Sequence, residues 1–363
     1  MFDLAHLAAW GGFLVLICLL LAIDLFVLHR KPRQIQMREA LIGASVPVLF
    51  ALLFAGAVYY LYETHTFGLG IDPAGITAKA AAFWPDNGND AVLMYLTGYV
   101  IEISLSADNV FLFVVLMTFF VVPGVYQHRV LFWGVLGALV MRAGMIIAGY
   151  ELLQRFEWVI LVFGFFLLFT GVKMLLAGEQ KKDPGKSVSI RLMRKMLPVT
   201  SEYHGKSFFV RLATPAGMKT FATPLFLVLV AIEITDVIFA VDSIPAIFAV
   251  SQDPFIVFTS NVFAILGLRS MYFLLAGVID KFHYLRVGLA VVLTFVGVKM
   301  LLPWAGDWVS YWRGLEGAAA HHWQVPTPVS LMVIVVVLLG SVVASLAFGQ
   351  RGGGTGTTKT PRH

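Results

Sequence analysis

Charge is scarce in this chain. Asp, Glu, Lys and Arg make up 13% of its 363 residues, 59% are hydrophobic, and the mean hydropathy is +0.85. A soluble domain carries about 25% charge, so a solvated globule is excluded and a polytopic membrane protein is implied. Cysteine is limited to Cys18 inside the first apolar run, which excludes a disulfide framework and a Cys-rich metal site. Histidine keeps to segment ends and loops, at His6, His29, His65, His128, His204, His283, His321, His322 and His363. The membrane interior therefore offers oxygen ligands and little that is softer. No Gly-x-x-x-x-Gly-Lys-[Ser/Thr] run occurs, so ATP hydrolysis by this chain is not expected. No basic stretch precedes the first apolar run. Arg30-Lys31-Pro32-Arg33 follows it instead, so the run is expected to be a true span rather than a cleaved signal. The net charge of +5 sits mainly in loops and gives no reason to expect a nucleic-acid partner.

The expected fold is all-α and polytopic, with about nine spans at 8–28, 41–62, 90–122, 130–150, 156–177, 221–250, 255–279, 284–302 and 328–348. Lys and Arg concentrate in loop 29–40, loop 178–220, the turns 123–129 and 280–286, and the tail. An odd number of spans with the N-terminus outside places all of these in the cytoplasm of a plasma (inner) membrane protein. The opposite loops, 63–89 and 303–327, are poor in Lys and Arg, and the second holds Trp304, Trp308, Tyr311, Trp312 and Trp323, an outer interfacial belt. One transmembrane domain is expected over 1–350. Its only long polar insertion is loop 178–220, with a short amphipathic helix around 190–197. The Gly/Thr-rich end, 351–363, reads as a disordered cytoplasmic tail.

Two apolar segments carry carboxylates where a bilayer would bury them. The first reads Glu102-Ile-Ser-Leu-Ser-Ala-Asp108-Asn109, the second Glu233-Ile-Thr-Asp236-Val-Ile-Phe-Ala-Val-Asp242-Ser243-Ile-Pro245. An ionised carboxylate at the bilayer centre costs about 3 kcal/mol or more, so each needs a compensating partner, and a cation is the obvious one.

The same segments head an internal repeat. Aligning Asp108 with Asp242 places Glu102 opposite Asp236 and Asn109 opposite Ser243. Arg142 then matches Arg269, and Gly171-Val-Lys-Met-Leu-Leu176 recurs as Gly297-Val-Lys-Met-Leu-Leu302. Repeat one covers about 90–177 and repeat two about 221–302. Each holds three spans, and an odd number joined through one loop inverts the second half, a transporter design. Both head segments exceed the span length, so breaks are expected in them. Pro245 would free the Val241 carbonyl. Glu102 and Asp108 would lie about 120° apart on a straight helix, so either the helix unwinds between them or they serve different partners.

These residues carry a resemblance to the TerC family of integral membrane proteins, and most closely to its Alx-like branch. The matching stretches are Ala22-Ile-Asp24-Leu, Leu96-Thr-Gly-Tyr99, Glu102 through Phe111, and Thr223 through Leu275. The resemblance implies manganese(II) export, a link with tellurite resistance, and a distant relation to the LysE exporters. Its implied fold is a helical bundle with a metal path between the repeats.

On this reading the metal ligands are Glu102, Asp108, Asn109, Glu233, Asp236, Asp242 and Ser243. The competing reading pairs Asp108 and Asp242 with Arg142 or Arg269. Asn109 and Ser243 would then only bond between helices. Glu233 is a further carboxylate or a proton carrier. Asp24 guards the inner mouth or pairs with the Arg30–Arg33 cluster. Thr259, Ser260 and Asn261 line the path or pack. Lys173 and Lys299 snorkel to span ends. His321 and His322 belong to an interfacial loop or catch metal outside.

Oxygen-only ligands favour Mn²⁺, Mg²⁺ or Ca²⁺ over Zn²⁺ and Cu⁺. The expected function is secondary export of Mn²⁺ without a permanently bound cofactor, and proton exchange is one permitted coupling. The alternative is a non-transporting membrane component of a tellurite or metal stress-resistance complex, working through loop 178–220 or as a homo-oligomer. Amino-acid export fits an acidic cluster less well. An intramembrane aspartyl hydrolase would require Tyr-Asp and Gly-x-Gly-Asp on adjacent spans, and neither occurs, so no enzyme is expected.

Overall fold

The computed structural model describes residues 4–23, 37–71, 83–156, 158–176, 198–200, 202–214, 217–275, 284–312, 323 and 325–348. Nine long helices run through them: α1 (Leu4–Ile23), α2 (Met37–Glu63), α3 (Gly88–Phe119), α4 (Gly124–Arg155), α5 (Val159–Leu176), α6 (Pro224–Phe248), α7 (Pro254–Leu275), α8 (Leu285–Trp312) and α9 (Thr327–Phe348). Among the described residues eight of these are long and apolar enough to cross a membrane, and the 32-residue α3 is not among the eight. Large apolar side chains such as Val140, Ile147, Phe165, Phe169, Ile238 and Leu339 point outward, a surface suited to lipid rather than water.

Four features depart from the sequence reading. Neither head helix is broken: α3 and α6 are continuous, with Pro245 carried inside α6 one turn before its end. Tertiary packing against α7 and α4 accompanies these helices across their polar residues. The helix expected to stop at residue 302 continues through Pro303 to Trp312. A helical proline removes one donor and bends the helix without having to end it. The continuation makes the start of the expected 303–327 loop helical, with Trp308 and Trp312 exposed and in edge contact at 5.9 Å. Lys173 lies exposed over the Phe169 ring, but its counterpart Lys299 is buried and does not snorkel.

The fourth departure is a β-hairpin in the long polar loop. Strands β1 (Phe209–Thr214) and β2 (Gly217–Ala222) pair antiparallel, with Phe209 opposite Ala222 and Thr214 opposite Gly217. Gly217 adopts φ 106°, a conformation that suits glycine at this turn. The Thr223 hydroxyl donates to the Ser207 carbonyl at 2.7 Å, and the Tyr203 hydroxyl donates to Phe120 O at 2.6 Å. The hairpin therefore sits by the start of α6 and the end of α3. The short helix expected around 190–197, together with Asp24, His321, His322 and the tail 351–363, lies outside the described residues.

Helix directions follow from these contacts. α3 ends at the hairpin side, where α6 begins. On the far side the Gln252 amide donates to Phe83 O, just before α3. Corresponding helices of the two segments thus run in opposite directions, as an inverted repeat requires. The first helix of each segment packs against the second helix of the other, α3 on α7 and α6 on α4, and α5 packs on α8.

The apolar core is split in two. The far-side cluster includes Tyr95, Tyr99 and Ile101 of α3, Leu139 and Ile146 of α4, Ile244 and Phe248 of α6, and Phe258 and Phe263 of α7. The hairpin-side cluster includes Val110, Phe113 and Met117 of α3, Leu131 and Val135 of α4, Leu227 and Ile232 of α6, and Leu268 and Tyr272 of α7. On α3 and α6 the boundary falls where the polar residues stand, between Ile101 and Val110 and between Ile232 and Ala240; on α4 and α7 it falls about one turn to the hairpin side of Arg142 and Asn261.

Candidate functional site

The band between the two clusters is built by α3, α4, α6 and α7. Asp236 stands midway along α6, about 18 Å from either end by helix rise. Glu102 stands near the middle of α3, and Arg142 lies within α4. All three are sealed from solvent, with relative exposures of 0% for Glu102, 1% for Arg142 and 1% for Asp236.

Arg142 is the centre of the band. Its Nη1 donates to Glu102 Oε1, to Asn261 Oδ1 at 3.2 Å and to Ser243 Oγ at 3.5 Å. Its Nη2 donates to Asp236 Oδ1 at 3.2 Å, and its Nε to Asp236 Oδ2 at 3.3 Å. The guanidinium is thus ringed by oxygen atoms from three neighbouring helices. Two buried carboxylates against one cation leave one net negative charge when both are ionised. A buried Arg between carboxylates recovers its desolvation cost only through such multiple bonds.

Several acceptors remain without a hydrogen-bond partner: Glu102 Oε2, Asn109 Oδ1 and Glu233 Oε2. Glu102 Oε1 also accepts from Ser106 Oγ at 3.2 Å, so the second oxygen is the free one. The Glu233 carboxylate lies directly over Gly137 of α4, where a Cβ would meet Oε1 at 2.1 Å. Only the lack of a side chain at Gly137 lets the carboxylate approach α4 there.

The structure brings Glu102, Asp236, Ser243 and Arg142 together. Asn109 lies two turns along α3 from Glu102, and Glu233 one turn before Asp236 on α6. Asp108 and Asp242 lie on α3 and α6, and Arg269 on α7, but their side chains are outside the described set. Among the described residues no three of His, Cys, Asp and Glu are grouped closely enough to hold a metal ion. The oxygens that the band does gather are of three kinds, carboxylate, amide and hydroxyl. Thr259 and Ser260 bond back to their own helix, at Phe255 O and Val257 O. Asn261 is the member of that trio that reaches Arg142. The sequence offered only its polarity within an apolar run as a signal.

A second polar cluster closes the far side. Asp253 caps α7 by accepting from the Phe255 amide at 2.8 Å and the Ile256 amide at 3.2 Å, and Tyr62 donates to its Oδ2 at 2.8 Å. Burial pushes the Asp253 carboxyl above its usual range, while these hydrogen bonds and nearby His6 oppose the shift.

Comparison with known proteins places this chain in a family. The model of the TerC family of integral membrane proteins matches residues 87–352. An uncharacterised membrane protein of Myxococcus xanthus is 44% identical over 337 residues, covering 93% of this chain and 91% of its own. Proteins named Alx, described as candidate membrane-bound redox modulators, are similar as well. The one from Photorhabdus laumondii is 46% identical over 294 residues, and the one from Escherichia coli K12 is 43% identical over 295. Each covers 81% of this chain and 85% of the relative. No solved structure matches.

Proposed function

The chain belongs to the TerC family of integral membrane proteins, and from that premise we propose that it is a secondary carrier exporting manganese(II) through the polar band. The observation that carries this reading is the sealed ring of oxygens at mid-helix, drawn from α3, α6 and α7 and closed on both sides by apolar packing. Hard divalent cations take oxygen ligands of this kind. A site shut off from both faces suits alternating access between inverted halves. The carboxylates of Glu102, Asp108, Asp236 and Asp242 would neutralise the ion, with Asn109, Ser243 and Asn261 completing its shell and Glu233 standing beside them as a proton carrier. Protons returning on the same carboxylates would supply the exchange.

The orientation that fits export puts the N-terminus outside and the hairpin loop in the cytoplasm of the inner membrane, where the Lys and Arg are concentrated. The redox role in the relatives' name fits the same reading. With one cysteine the chain has no dithiol of its own, and control of a redox-active metal would act on redox state from a distance.

The deciding experiment is uptake into inverted vesicles with Mn²⁺, Ca²⁺, Mg²⁺ and Zn²⁺ compared. Saturable Mn²⁺ uptake that depends on this protein is expected. Uptake equal to that of vesicles lacking the protein would instead leave the membrane-component reading, in which the loop around β1 and β2 binds a partner.

A further inference from the structure

We infer that Arg142 and the exported cation are alternative occupants of one oxygen shell, formed by Glu102, Asp236, Ser243 and Asn261, and that Glu233 receives the guanidinium when the metal enters. This inference rests on the carrier reading above and assigns the competition within its site.

The geometry of the shell is the starting point. Its oxygens meet guanidinium nitrogens at 3.2–3.5 Å wherever Asp236, Ser243 and Asn261 contribute. Hard divalent cations bind oxygen at about 2.0–2.6 Å and take six or more ligands. The same atoms therefore suit a metal only after Arg142 has left and the Asp236, Ser243 and Asn261 oxygens of α6 and α7 have drawn inward by about an ångström. Both occupants at once would place a guanidinium and a divalent cation within one ring, where like charges repel in a low dielectric. The two are mutually exclusive.

Charge supplies the second argument. Glu102 and Asp236 are buried to 0% and 1% exposure. Left without a cation, such carboxylates would be strongly disfavoured at mid-membrane. Arg142 compensates them between transport events, so the carrier can change its packing without carrying two bare charges.

The third argument is the landing site. Glu233 Oε2 has no partner, and its carboxylate rests on Gly137, five residues before Arg142 on the same helix. Glu233 also stands one turn before Asp236 on the same face of α6, so the partnerless carboxylate is next to the one that Arg142 already bonds. A displaced guanidinium thus finds an acceptor without leaving the band.

Calorimetric titration of the purified full-length protein with Mn²⁺ tests this. Arg142→Gln removes the competitor, and its Mn²⁺ affinity is expected to rise by about tenfold or more, as the binding-competent fraction increases. Arg142→Lys keeps the charge but not the planar fork, and a smaller rise is expected. It decides the matter should Arg142→Gln fail to accumulate. Glu233→Gln should weaken binding in the wild-type background and have no effect in the Arg142→Gln background, because its role is to hold Arg142. An affinity that is unchanged or lower in the folded Arg142 variants, with normal Mn²⁺ binding by the wild type, overturns the competition and leaves the carrier reading standing. A Glu233→Gln effect that persists without Arg142 makes Glu233 a ligand and overturns the landing site. Absence of Mn²⁺ binding by the wild type overturns both the inference and the carrier.

Discussion

Gly171 on α5 and Gly297 on α8 are docked reciprocally. A Cβ on Gly171 would meet Thr294 N at 2.7 Å and Ala290 O at 2.8 Å. A Cβ on Gly297 would meet Leu168 N at 2.6 Å and Gly164 O at 2.9 Å. Positions 290 and 294 follow 164 and 168 by the same interval that separates the two glycines. Each glycine therefore touches the counterpart of what the other touches, which is the signature of a two-fold contact. Substitution of either by Ala is expected to cost about 1–3 kcal/mol through overpacking against backbone, and by similar amounts. Thermal unfolding in detergent measures both. A loss confined to one of them contradicts the two-fold relation of α5 and α8.

Arg142 bonds to Glu102 and Asp236, so the informative charge cycle runs between those groups. Arg142→Gln alone should cost about 3–5 kcal/mol by leaving Glu102 and Asp236 both buried without a counter-charge. Arg142→Gln combined with Asp236→Asn should recover part of that stability, because one bare carboxylate remains instead of two. Membrane accumulation and melting temperature report the coupling. Strict additivity of the two losses would show that the pair contributes nothing as a pair.

Asp108→Asn and Asp242→Asn are each expected to abolish Mn²⁺ efflux while the protein inserts and accumulates normally. The amide keeps size and removes the charge that neutralises a divalent ion. Efflux at the wild-type rate in either variant removes that Asp from the ion path.

The far-side cap gives a pH dependence. Burial raises the Asp253 carboxyl, so its folded value lies above the unfolded one and the neutral form is favoured in the fold. Its contribution is then fully present below the ordinary carboxyl range, near about 4, and is lost as pH rises through the raised value. Asp253→Asn keeps the α7 cap and cannot ionise. Its melting temperature should therefore gain on that of the wild type as pH is raised from about 4. A gap independent of pH refutes the assignment.

Single cysteines placed in loop 178–220 and in residues 313–322 should be labelled from opposite sides of the membrane. Labelling of both from one side defeats the orientation derived from Lys and Arg.

The helices were legible because apolar runs of bilayer length admit few other structures, and the band was legible because Glu102, Arg142 and Asp236 are conspicuous in such runs. The pairing was not. Spacing along one helix relates Glu102 to Asp108, but it does not reveal that Arg142 of α4 meets Asp236 of α6 and Asn261 of α7. The expected breaks in α3 and α6 came from length and, in α6, from Pro245, and packing against α7 and α4 holds both helices intact. The hairpin gave little warning, since its strands are short and mostly exposed, with burial confined to the end of β2. The expected end of a span at residue 302 was too early, because the chain beyond Pro303, from Trp304 to Trp312, still suits a helix at an interface.

The placement of Asp236 midway along α6 has an electrical consequence. If the two apolar clusters share the membrane voltage about equally, an ion held in the band has crossed half of it. For a divalent cation each half-crossing amounts to about 2.3 kcal/mol per 100 mV. With the cell interior negative, both halves oppose outward movement of positive charge. An exporter of this build must therefore be driven by something moving inward, and its turnover should slow as the membrane is hyperpolarised unless at least two positive charges return for each ion that leaves.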